Sequence, residues 1–364
     1  MIRNDCVYFQ GEVPCLYGRL CDNCPHFTPF GTKILIIKRG AMGDVLRTTA
    51  LLPGLKRKYP NSSISWVVDS ESAELLQNHP DVDRIIPFDL SALLPLRVEK
   101  FDVLYSLDKE SASTALAESV SCPRKYGFGM NAHGKLAILN AASEYAFQLG
   151  IDNDLKFFRN QKTYQEIIYE MAELDYQGDS YALYLEEADL GKARRFFRTH
   201  RIPKRRPLVG LNTGSGTRFE TKQWPPRYFA QLIDILTSKL KANVFLLGGG
   251  QEKALNRSLE RRARRKIFNT RSDNSLREFA GIISLLDVII SSDSLAMHLA
   301  VALGKNVVAL FGSTCPQEIT LYGRGAKLFA GVPCSPCYKS TCSDMTCMKA
   351  ITAEQVAREI QKLL

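Results

Sequence analysis

Eight of the ten cysteines fall into two groups with the spacing of metal ligands. The first group is Cys6, Cys15, Cys21 and Cys24, the second is Cys334, Cys337, Cys342 and Cys347, and the two that remain, Cys122 and Cys315, are interpreted as ordinary thiols. Each group contains one Cys-x-x-Cys pair, which lets two thiolates bind one ion from a tight turn. In a reducing compartment four thiolates suit structural zinc or iron, including an iron–sulfur cluster. Either each group binds its own ion or the groups interleave; the alternative is eight small buried side chains without a ligand.

A candidate for acid–base chemistry is the aspartate that ends "RGAMGD", residues 39–44. This segment lies between the first predicted strand and the first predicted helix, where glycines let the backbone approach a ligand. A short carboxylate in that place can take a proton from a docked hydroxyl as a general base. The same position also suits an ordinary helix N-cap. Asp44 is therefore a candidate base.

Two further segments favour phosphate binding. The loop "NTGSGTRFETKQWPP", residues 212–226, offers amides, hydroxyls and the cation of Lys222, although a plain surface loop has the same composition. The segment "SSDSLAMH", residues 291–298, leads from a strand into a helix whose free amides and positive dipole suit a pyrophosphate. His298 lies one turn after Ser294 on the same helix face, a position that a packed histidine also occupies.

These segments need an α/β framework to bring them together. "KILIIKR", residues 33–39, predicts a buried strand, and apolar residues near a 3.6 period predict one helix from Asp44 to Lys58. Strands and helices alternate to about residue 174 and again from 189 onward. Thr352 and Gln355 form a capping-box pattern that begins a terminal helix. Two α/β halves with parallel sheets place a cleft between them, at the carboxyl ends of the strands.

Five segments, in order, resemble one known family. They are "ILIIKRGAMGDVLRTTALLPGLKRKYP", "KYGFG", "NTGSGTRFETKQWPP", "LREFAGIISLLDVIISSDSLAMHLAVALGKNVVALFGST" and "CSPCYKSTCSDMTCMKAITAEQV". Each is similar to a block of glycosyltransferase family 9, the ADP-heptose:lipopolysaccharide heptosyltransferases, and together they span most of residues 31–364. The resemblance implies a GT-B fold with two Rossmann-like domains facing a cleft. It divides the chain into a cysteine-rich cap (1–30), an acceptor domain (31–178), an ADP-sugar domain (179–350) and a C-terminal helix (351–364) that crosses back to the first domain.

The resemblance also implies a reaction, the inverting transfer of heptose to a sugar hydroxyl without a metal or any other cofactor for that step. Asp44 matches the family's general base, and Lys222 matches the lysine that faces the donor diphosphate. The implied donor-binding residues are Thr213, Ser215, Lys222, Glu252, Asp293, Ser294, Leu295 and His298. The implied acceptor-side loop contains Gly40, Met42 and Gly43.

One departure from the family concerns the donor site. Where the family has Thr-Gly after the aspartate, this chain has Ser294 and Leu295, and leucine adds bulk and removes backbone freedom near the phosphates. A transferase for another nucleotide sugar and a non-catalytic nucleotide-sugar-binding protein are therefore the alternatives. Protein-heptosylating relatives carry a cysteine-bound iron near the position of the second cysteine group, so a protein acceptor is a further alternative. We expect both cysteine groups to brace the chain ends near the interdomain region.

Charge and hydropathy limit the partners. The chain has 48 basic and 38 acidic residues, a net charge of +10, and its basic residues are concentrated at 192–206 and 257–266. Such stretches are either solvated helix faces or attract an anionic glycolipid or glycan acceptor and the inner face of a membrane. We expect no nucleic-acid binding, because aromatic residues do not alternate with the basic ones. With neither a signal peptide nor a spanning segment in the sequence, we expect a cytoplasmic protein with at most peripheral membrane contact.

Overall fold

The computed structural model describes residues 1–203, 206–216 and 218–364 and contains two α/β halves. The first half contains β1 (Thr32–Ile37), α1 (Met42–Thr48), α2 (Leu51–Lys58), β2 (Ser62–Val68), α3 (Ser70–Ala73), β3 (Arg84–Pro87), α4 (Leu90–Leu96), β4 (Val103–Ser106), α5 (Ser111–Ser119), β5 (Lys125–Met130), β6 (Leu136–Ile138), α6 (Glu144–Gln148) and α7 (Tyr164–Met171). Lys204 and Arg205 of the first basic stretch, and Thr217 of the loop 212–226, lie outside the described residues.

The second half follows a segment, 174–186, that contains neither helix nor strand. It contains α8 (Glu187–Thr199), β7 (Leu208–Asn212), α9 (Pro226–Ser238), β8 (Asn243–Leu247), α10 (Lys253–Arg262), β9 (Phe268–Asn269), α11 (Leu276–Ser284), β10 (Val288–Ser292), α12 (Leu295–Ala302), β11 (Asn306–Phe311), β12 (Gly325–Phe329), α13 (Thr346–Lys349) and α14 (Ala353–Leu363). The predicted domain boundary at 178 lies inside the connecting segment. None of the described helices has both the length and the apolar character needed to cross a bilayer.

Each half is built on a six-stranded sheet, and the prediction of two parallel sheets facing a cleft is confirmed. The first sheet has the order β3-β2-β1-β4-β5-β6, in which only β6 is antiparallel to its neighbour, and the second has the order β12-β11-β10-β7-β8-β9. Central strands such as β1 and β10 are buried apolar runs, as expected when helices cover both faces of a parallel sheet. In each sheet the strand order reverses beside the central strand, so the loops at the carboxyl ends open into a crevice there.

The predicted single helix from Asp44 to Lys58 is wrong, because the segment forms two helices, α1 and α2, separated by a turn at Thr49 and Ala50. Proline is the physical reason. Pro53 has no amide hydrogen to donate to the carbonyl of Thr49, and it is best tolerated in the first turn of a new helix. At its other end, α1 begins at Met42, two residues before the predicted start, so Asp44 lies within its first turn.

The C-terminal helix α14 does not cross back to the first half as the resemblance implied. It packs against α9, β11 and β12, and its buried face joins the apolar cluster of the second half through Val356 and Ile360. Ile351, two residues before the helix, accepts a 2.9 Å hydrogen bond on its carbonyl from the indole of Trp224. The helix belongs to the second half because its apolar face packs against the sheet of that half.

The two halves share one continuous apolar cluster in which α1 packs against α12. Arg277 of α11 is a polar link between them. Its guanidinium donates to both carboxylate oxygens of Asp189, at 2.9 and 2.6 Å, and to the carbonyls of Glu74 and Tyr184, at 2.9 and 2.8 Å. Because Glu74 belongs to the first half, this buried cation fixes the relative position of the halves.

Residues 1–31 form a cap without helix or strand, apart from one bridge between Cys6 and Pro29. The cap adjoins the amino ends of the first sheet's strands. A Cβ placed on Gly31 would lie 1.3 Å from the carbonyl oxygen of Asn61, directly before β2. The cleft lies at the opposite, carboxyl ends. The expectation that the first cysteine group lies near the interdomain region is therefore wrong, because the chain enters the sheet from its far edge.

Candidate active site

A cavity of about 710 Å³ lies between the halves, at the carboxyl ends of both sheets. Loops after β1, β7, β8, β10 and β11 line it, which is where an α/β cleft is expected to bind a ligand. Most of the residues singled out from the sequence meet there, namely Met42, Gly43, Asp44, Ser215, Lys222, Glu252, Asp293, Ser294, Leu295 and His298.

Two predicted residues do not line this cavity. The hydroxyl of Thr213 is buried and donates to the Asn256 side-chain oxygen at 2.6 Å and to the Leu247 carbonyl at 3.2 Å. Gly40 accepts a hydrogen bond from the Lys38 ammonium at 2.8 Å. The prediction that Thr213 contacts the donor is not supported, because its polar atoms are already paired within the second sheet.

The Asp44 carboxylate is held between two cations. Its Oδ1 lies 2.9 Å from Nη2 of Arg47, its Oδ2 lies 4.0 Å from Nζ of Lys38, and 38% of the side chain is exposed toward the cavity. Burial alone would raise the pKa of Asp44, but Arg47 and Lys38 outweigh it and hold the pKa below its ordinary value. The carboxylate is therefore charged at neutral pH and open to a hydroxyl in the cavity.

Lys222 forms an ion pair on the opposite side of the cavity. Its ammonium donates to Oδ2 of Asp293 at 2.9 Å and to the carbonyl of the same residue at 3.1 Å, and it lies 5.1 Å from the centre of the Phe219 ring. Burial would raise the pKa of Asp293, but Lys222 and His298 lower it. The lysine is thus in place before any ligand arrives, with a carboxylate as its partner.

The amino end of helix α12 opens into the cavity. Ser294 is its N-cap residue, yet the hydroxyl lies 3.2 Å from Nδ2 of Asn212 and 2.9 Å from Oγ of Ser291, and makes no capping bond. The first amides of the helix, from Leu295 onward, are therefore not capped by that side chain. An anion is the natural partner for such amides, because the helix dipole adds positive potential.

His298 sits at the contact between the halves. Its Nδ1 is 3.3 Å from the hydroxyl of Tyr181, and its Nε2 is 3.9 Å from Oδ1 of Asp293. Burial, together with the positive charge of Arg47, lowers the pKa of His298 to about 4, so the ring is neutral at pH 7. A Cβ on Gly43 would lie only 2.7 Å from Cδ2 of His298, which shows how closely α1 approaches α12.

Glu252 lines the cavity from the second half. Its Oε2 accepts a hydrogen bond from the amide of Gly249 at 2.7 Å, within the glycine-rich turn after β8. This bond fixes one carboxylate oxygen beside the cavity. Two adjacent hydroxyls, such as those of a ribose, are suitable donors to a carboxylate held in this way.

Several cavity residues were missed in the sequence. Arg47 pairs with Asp44 and lies over the ring of Tyr164 at 3.8 Å, and burial raises the pKa of Glu318 on another wall. Lys38 forms a buried ion pair with Asp108 behind the base. A usable signal existed for that pair, since Lys38 is the first residue after β1 and Asp108 is the second residue after the adjacent parallel strand β4. For Arg47, the sequence offered no indication of a functional role beyond its position in a predicted helix.

Three members of the second cysteine group, Cys334, Cys337 and Cys342, lie in a loop that lines the cavity through Tyr338, and Cys347 lies in α13. The ring of Tyr338 stacks on Phe157 of the first half, with 5.5 Å between centroids, and Lys156 lies 4.0 Å above it. The same loop is tied to the Lys222 turn, because the Glu220 amide donates to the carbonyl of Ser340 at 2.9 Å. Within the described ranges, no three His, Cys, Asp or Glu side chains are close enough to share a metal ion. Metal binding by either cysteine group therefore stays a prediction.

Sequence comparison gives one family. Residues 93–348 match the sequence model of glycosyltransferase family 9 (heptosyltransferase). Lipopolysaccharide heptosyltransferase 1 of Pseudomonas aeruginosa is 26% identical over 324 residues, which cover 85% of this chain and 87% of that protein.

Structural comparison agrees on the fold. A glycosyltransferase family 9 protein from Veillonella parvula superposes with a TM-score of 0.72 at 19% identity, covering 93% of this chain and 98% of that one. ADP-heptose lipopolysaccharide heptosyltransferase II of Escherichia coli superposes with a TM-score of 0.66 at 20% identity, covering 91% and 98%. The arrangement of two Rossmann-like halves is thus the GT-B fold.

Proposed function

The chain belongs to glycosyltransferase family 9 and is a glycosyltransferase, and on this premise we propose that it transfers heptose from ADP-heptose to a hydroxyl of a lipopolysaccharide core or related glycan. The observation that carries the proposal is a single cleft shared by Asp44 of the first half with Lys222 and the α12 amino end of the second. A base and an anion-binding helix end are the groups that such a transfer needs. The name of the P. aeruginosa relative supports heptose and lipopolysaccharide as substrates.

The donor diphosphate is proposed to bind at the amino end of α12. Ser294 and Leu295 line the cavity at the first turn of α12, and Lys222 and Asp293 line it beside them. When a phosphate oxygen replaces Asp293 as the partner of Lys222, the ammonium meets the charge that grows on the leaving diphosphate. Fixed positive charge at this position is what lets the transfer proceed without a divalent cation. The Glu252 carboxylate is proposed to accept hydrogen bonds from the adenosine ribose.

Asp44 is proposed to be the general base. The acceptor hydroxyl gives its proton to the Asp44 carboxylate while its oxygen forms a bond to the anomeric carbon of the heptose. The bond from that carbon to the β-phosphate oxygen breaks, and its electron pair leaves with ADP. Because the acceptor side and the donor side are opposite walls of the cleft, attack comes from the face opposite the leaving group and inverts the anomeric configuration.

Leu295 favours a second candidate for the donor. The residue lines the cavity at the first position of α12, where the family resemblance implies glycine. An isobutyl group narrows the space next to the diphosphate and the sugar. A transferase that uses a smaller nucleotide sugar through the same base and lysine is therefore the alternative that turnover must separate from heptose transfer.

The acceptor is proposed to be anionic. Arg47 and Arg218 line the cleft, and the basic stretch 257–266 adds charge to the surface of the second half. Phosphorylated core glycolipids carry the complementary charge, and a membrane that contains them would attract the same surface. A protein acceptor is the alternative, and its product would be a glycosylated polypeptide.

The second cysteine group is proposed to hold a structural ion. Cys347 is buried, and Cys334 and Cys337 are near enough to contribute, after burial itself, to a raised pKa of its thiol. Cys342 accepts a hydrogen bond from the amide of Met345 at 3.4 Å. An ion bound by these four thiolates would fix the loop that carries Tyr338 against the Lys222 turn, and would take no part in the transfer.

The test is turnover of ADP-heptose with a deep-core lipopolysaccharide acceptor, followed by mass spectrometry of the product. Wild type, Asp44→Ala and Asp44→Asn are compared, with Asp175→Ala as the control because Asp175 is exposed and, among the described side chains, its carboxylate bonds only Gln177. We expect heptosylated glycolipid from wild type and control, and a loss of roughly 100-fold or more in both Asp44 variants.

Each other outcome has a defined meaning. Equal turnover by Asp44→Asn would show that another group accepts the proton. If ADP binds but heptose is not transferred, while another ADP-sugar is consumed, the donor assignment is wrong and Leu295→Gly is the variant to examine. If ADP binds but no sugar is transferred from any nucleotide sugar, the chain is a non-catalytic nucleotide-sugar-binding protein.

A further inference from the structure

The four cysteines of the cap line one cavity of their own. This cavity, of about 210 Å³, is bounded by residues 2–27 alone, and Cys6, Cys15, Cys21 and Cys24 all contribute to its wall. None of the second cysteine group lines it, and the cap adjoins the amino edge of the first sheet while the second group lies in a loop of the other half. The two groups therefore do not interleave around a shared ion.

The backbone places all four thiols in the same local setting. Each of the four cysteines is the first residue of a tight turn whose fourth residue donates its amide to the cysteine carbonyl. The turns end at Phe9, Gly18, Cys24 and Phe27, with N···O distances of 3.0, 2.8, 3.3 and 3.3 Å. A thiolate at the head of such a turn lies beside successive backbone amides, which is the setting in which cysteine binds metal ions.

Hydrophobic burial does not explain the shape of the cap. The described apolar clusters contain no residue from 1–31, and Met1, Ile2, Leu16 and Leu20 are among the most exposed apolar side chains of the chain. His26, also in the cavity wall, stacks on Tyr17 with 3.8 Å between centroids. A segment of this size without a core needs covalent or metal cross-links to hold one conformation.

We propose that Cys6, Cys15, Cys21 and Cys24 form a self-contained site for one thiolate-binding transition ion, Zn²⁺ or Fe²⁺. The inference does not depend on the transferase activity, because the site lies at the edge of the sheet opposite the cleft. Binding converts four thiols to thiolates, releases their protons and draws the four turns inward onto the ion. The cap is then a metal-stapled unit attached to the first half through Gly31 and β1.

The test uses the full chain, purified under reducing conditions after expression with added zinc and iron. Metal per chain is measured by elemental analysis in three variants. In one, the four cap cysteines are serine; in the second, Cys334, Cys337, Cys342 and Cys347 are serine; the third, Cys122→Ser, is the matched control because Cys122 belongs to neither group. Gel filtration and a thermal melt identify the folded fraction that is analysed.

We expect the second variant to retain one ion per chain, the control to match wild type, and the first variant to lose one ion. Co²⁺ loaded into the second variant should give sulfur-to-cobalt charge transfer in the near ultraviolet and intense visible bands of a tetrahedral thiolate site. Cys24→His, which keeps a ligand atom, should retain Co²⁺ with weakened charge transfer.

Three results would overturn the proposal. The second variant could be folded yet contain no ion and take up no Co²⁺, which decides the question even if the first variant does not fold. The first variant could keep the full wild-type metal content. A thiol titration in denaturant could find the cap cysteines joined in disulfides.

Discussion

At the scale of single residues, the cleft pairs opposite charges that differ in how firmly they are fixed. Lys38 is buried beside Asp108, whereas Asp44 is partly exposed at the cavity. Among the described residues, the Lys222 ammonium pairs with Asp293, which lies on the same wall of the cavity. A base that is charged at neutral pH and flanked by cations is a weak base. Its strength rises when a bound acceptor takes over one of those cations.

We expect Arg47 to set the lower pH limit of the proposed reaction. The pKa of Asp44 lies below its ordinary value because Arg47 and Lys38 outweigh the opposing effect of burial, and the carboxylate is the active form above that pKa. Replacing Arg47 with neutral methionine raises the pKa of Asp44, so we expect the acid limb of the kcat/KM profile to move to higher pH. Activity at pH 5 should fall more than activity at pH 8.

The measurement is kcat/KM from pH 4.5 to 9 for wild type and Arg47→Met. Arg159→Met is the control, because Arg159 pairs with Asp152 and Asp154 outside the cleft. An acid limb at the same pH in Arg47→Met and wild type would show that Arg47 does not control the ionisation of the base.

At the scale of elements, the close packing of α1 on α12 connects the proposed base, Asp44, to the proposed donor site. Gly43 of α1 leaves room for the His298 ring, and a methyl group would lie 2.7 Å from its Cδ2. We expect Gly43→Ala to move α1 away from α12 and to lower kcat/KM by roughly 10- to 100-fold, because misplacement of reacting groups by about 1 Å has that effect.

The control for this prediction is Gly191→Ala, since a Cβ at Gly191, in α8, meets no atom within 4 Å. That change should stabilise the chain by about 0.5 to 1 kcal/mol and leave turnover unaltered. Steady-state kinetics and thermal melting measure both effects. Wild-type kinetics in Gly43→Ala would mean that the contact between the helices does not position Asp44.

The elements also show what a sequence can and cannot predict. Buried strands such as Lys33–Ile37 and Val288–Ser292, and the capped helix after Thr352, follow from local pattern, and the strand-to-helix turns place Asp44 and Asp293 at one cleft. The break between α1 and α2 could have been predicted from the sequence, because Pro53 has no amide hydrogen to donate to a helical hydrogen bond. The site of α14, the role of Arg47 and the edge strand β12 depend on which surfaces meet in three dimensions, and one sequence does not specify that.

At the scale of the whole molecule, the two halves are held by a shared apolar cluster and by the buried cation of Arg277. We expect Arg277→Met to destabilise the chain by about 3 to 5 kcal/mol, because it leaves the Asp189 carboxylate buried without its partner and removes the bond to Glu74. Urea unfolding, followed by circular dichroism and tryptophan fluorescence, measures the change.

The matched control is Arg265→Met, an exposed arginine of the second half, which should change the free energy of unfolding by no more than about 0.5 kcal/mol. If Arg277→Met were as stable as this control, the polar link would contribute nothing, and the apolar cluster alone would hold the halves together.

The pairing of Lys222 with Asp293 has a consequence for the resting enzyme. Because the Lys222 ammonium already has a carboxylate partner, free inorganic phosphate should bind weakly there, since it must break the ion pair without gaining the contacts of a nucleoside. The nucleotide-sugar donor of the proposed reaction would gain those contacts and displace the carboxylate. After the proposed transfer, the same carboxylate would pair again with the ammonium as the nucleotide departs, so this counter-ion would return the site to its resting state for the next cycle.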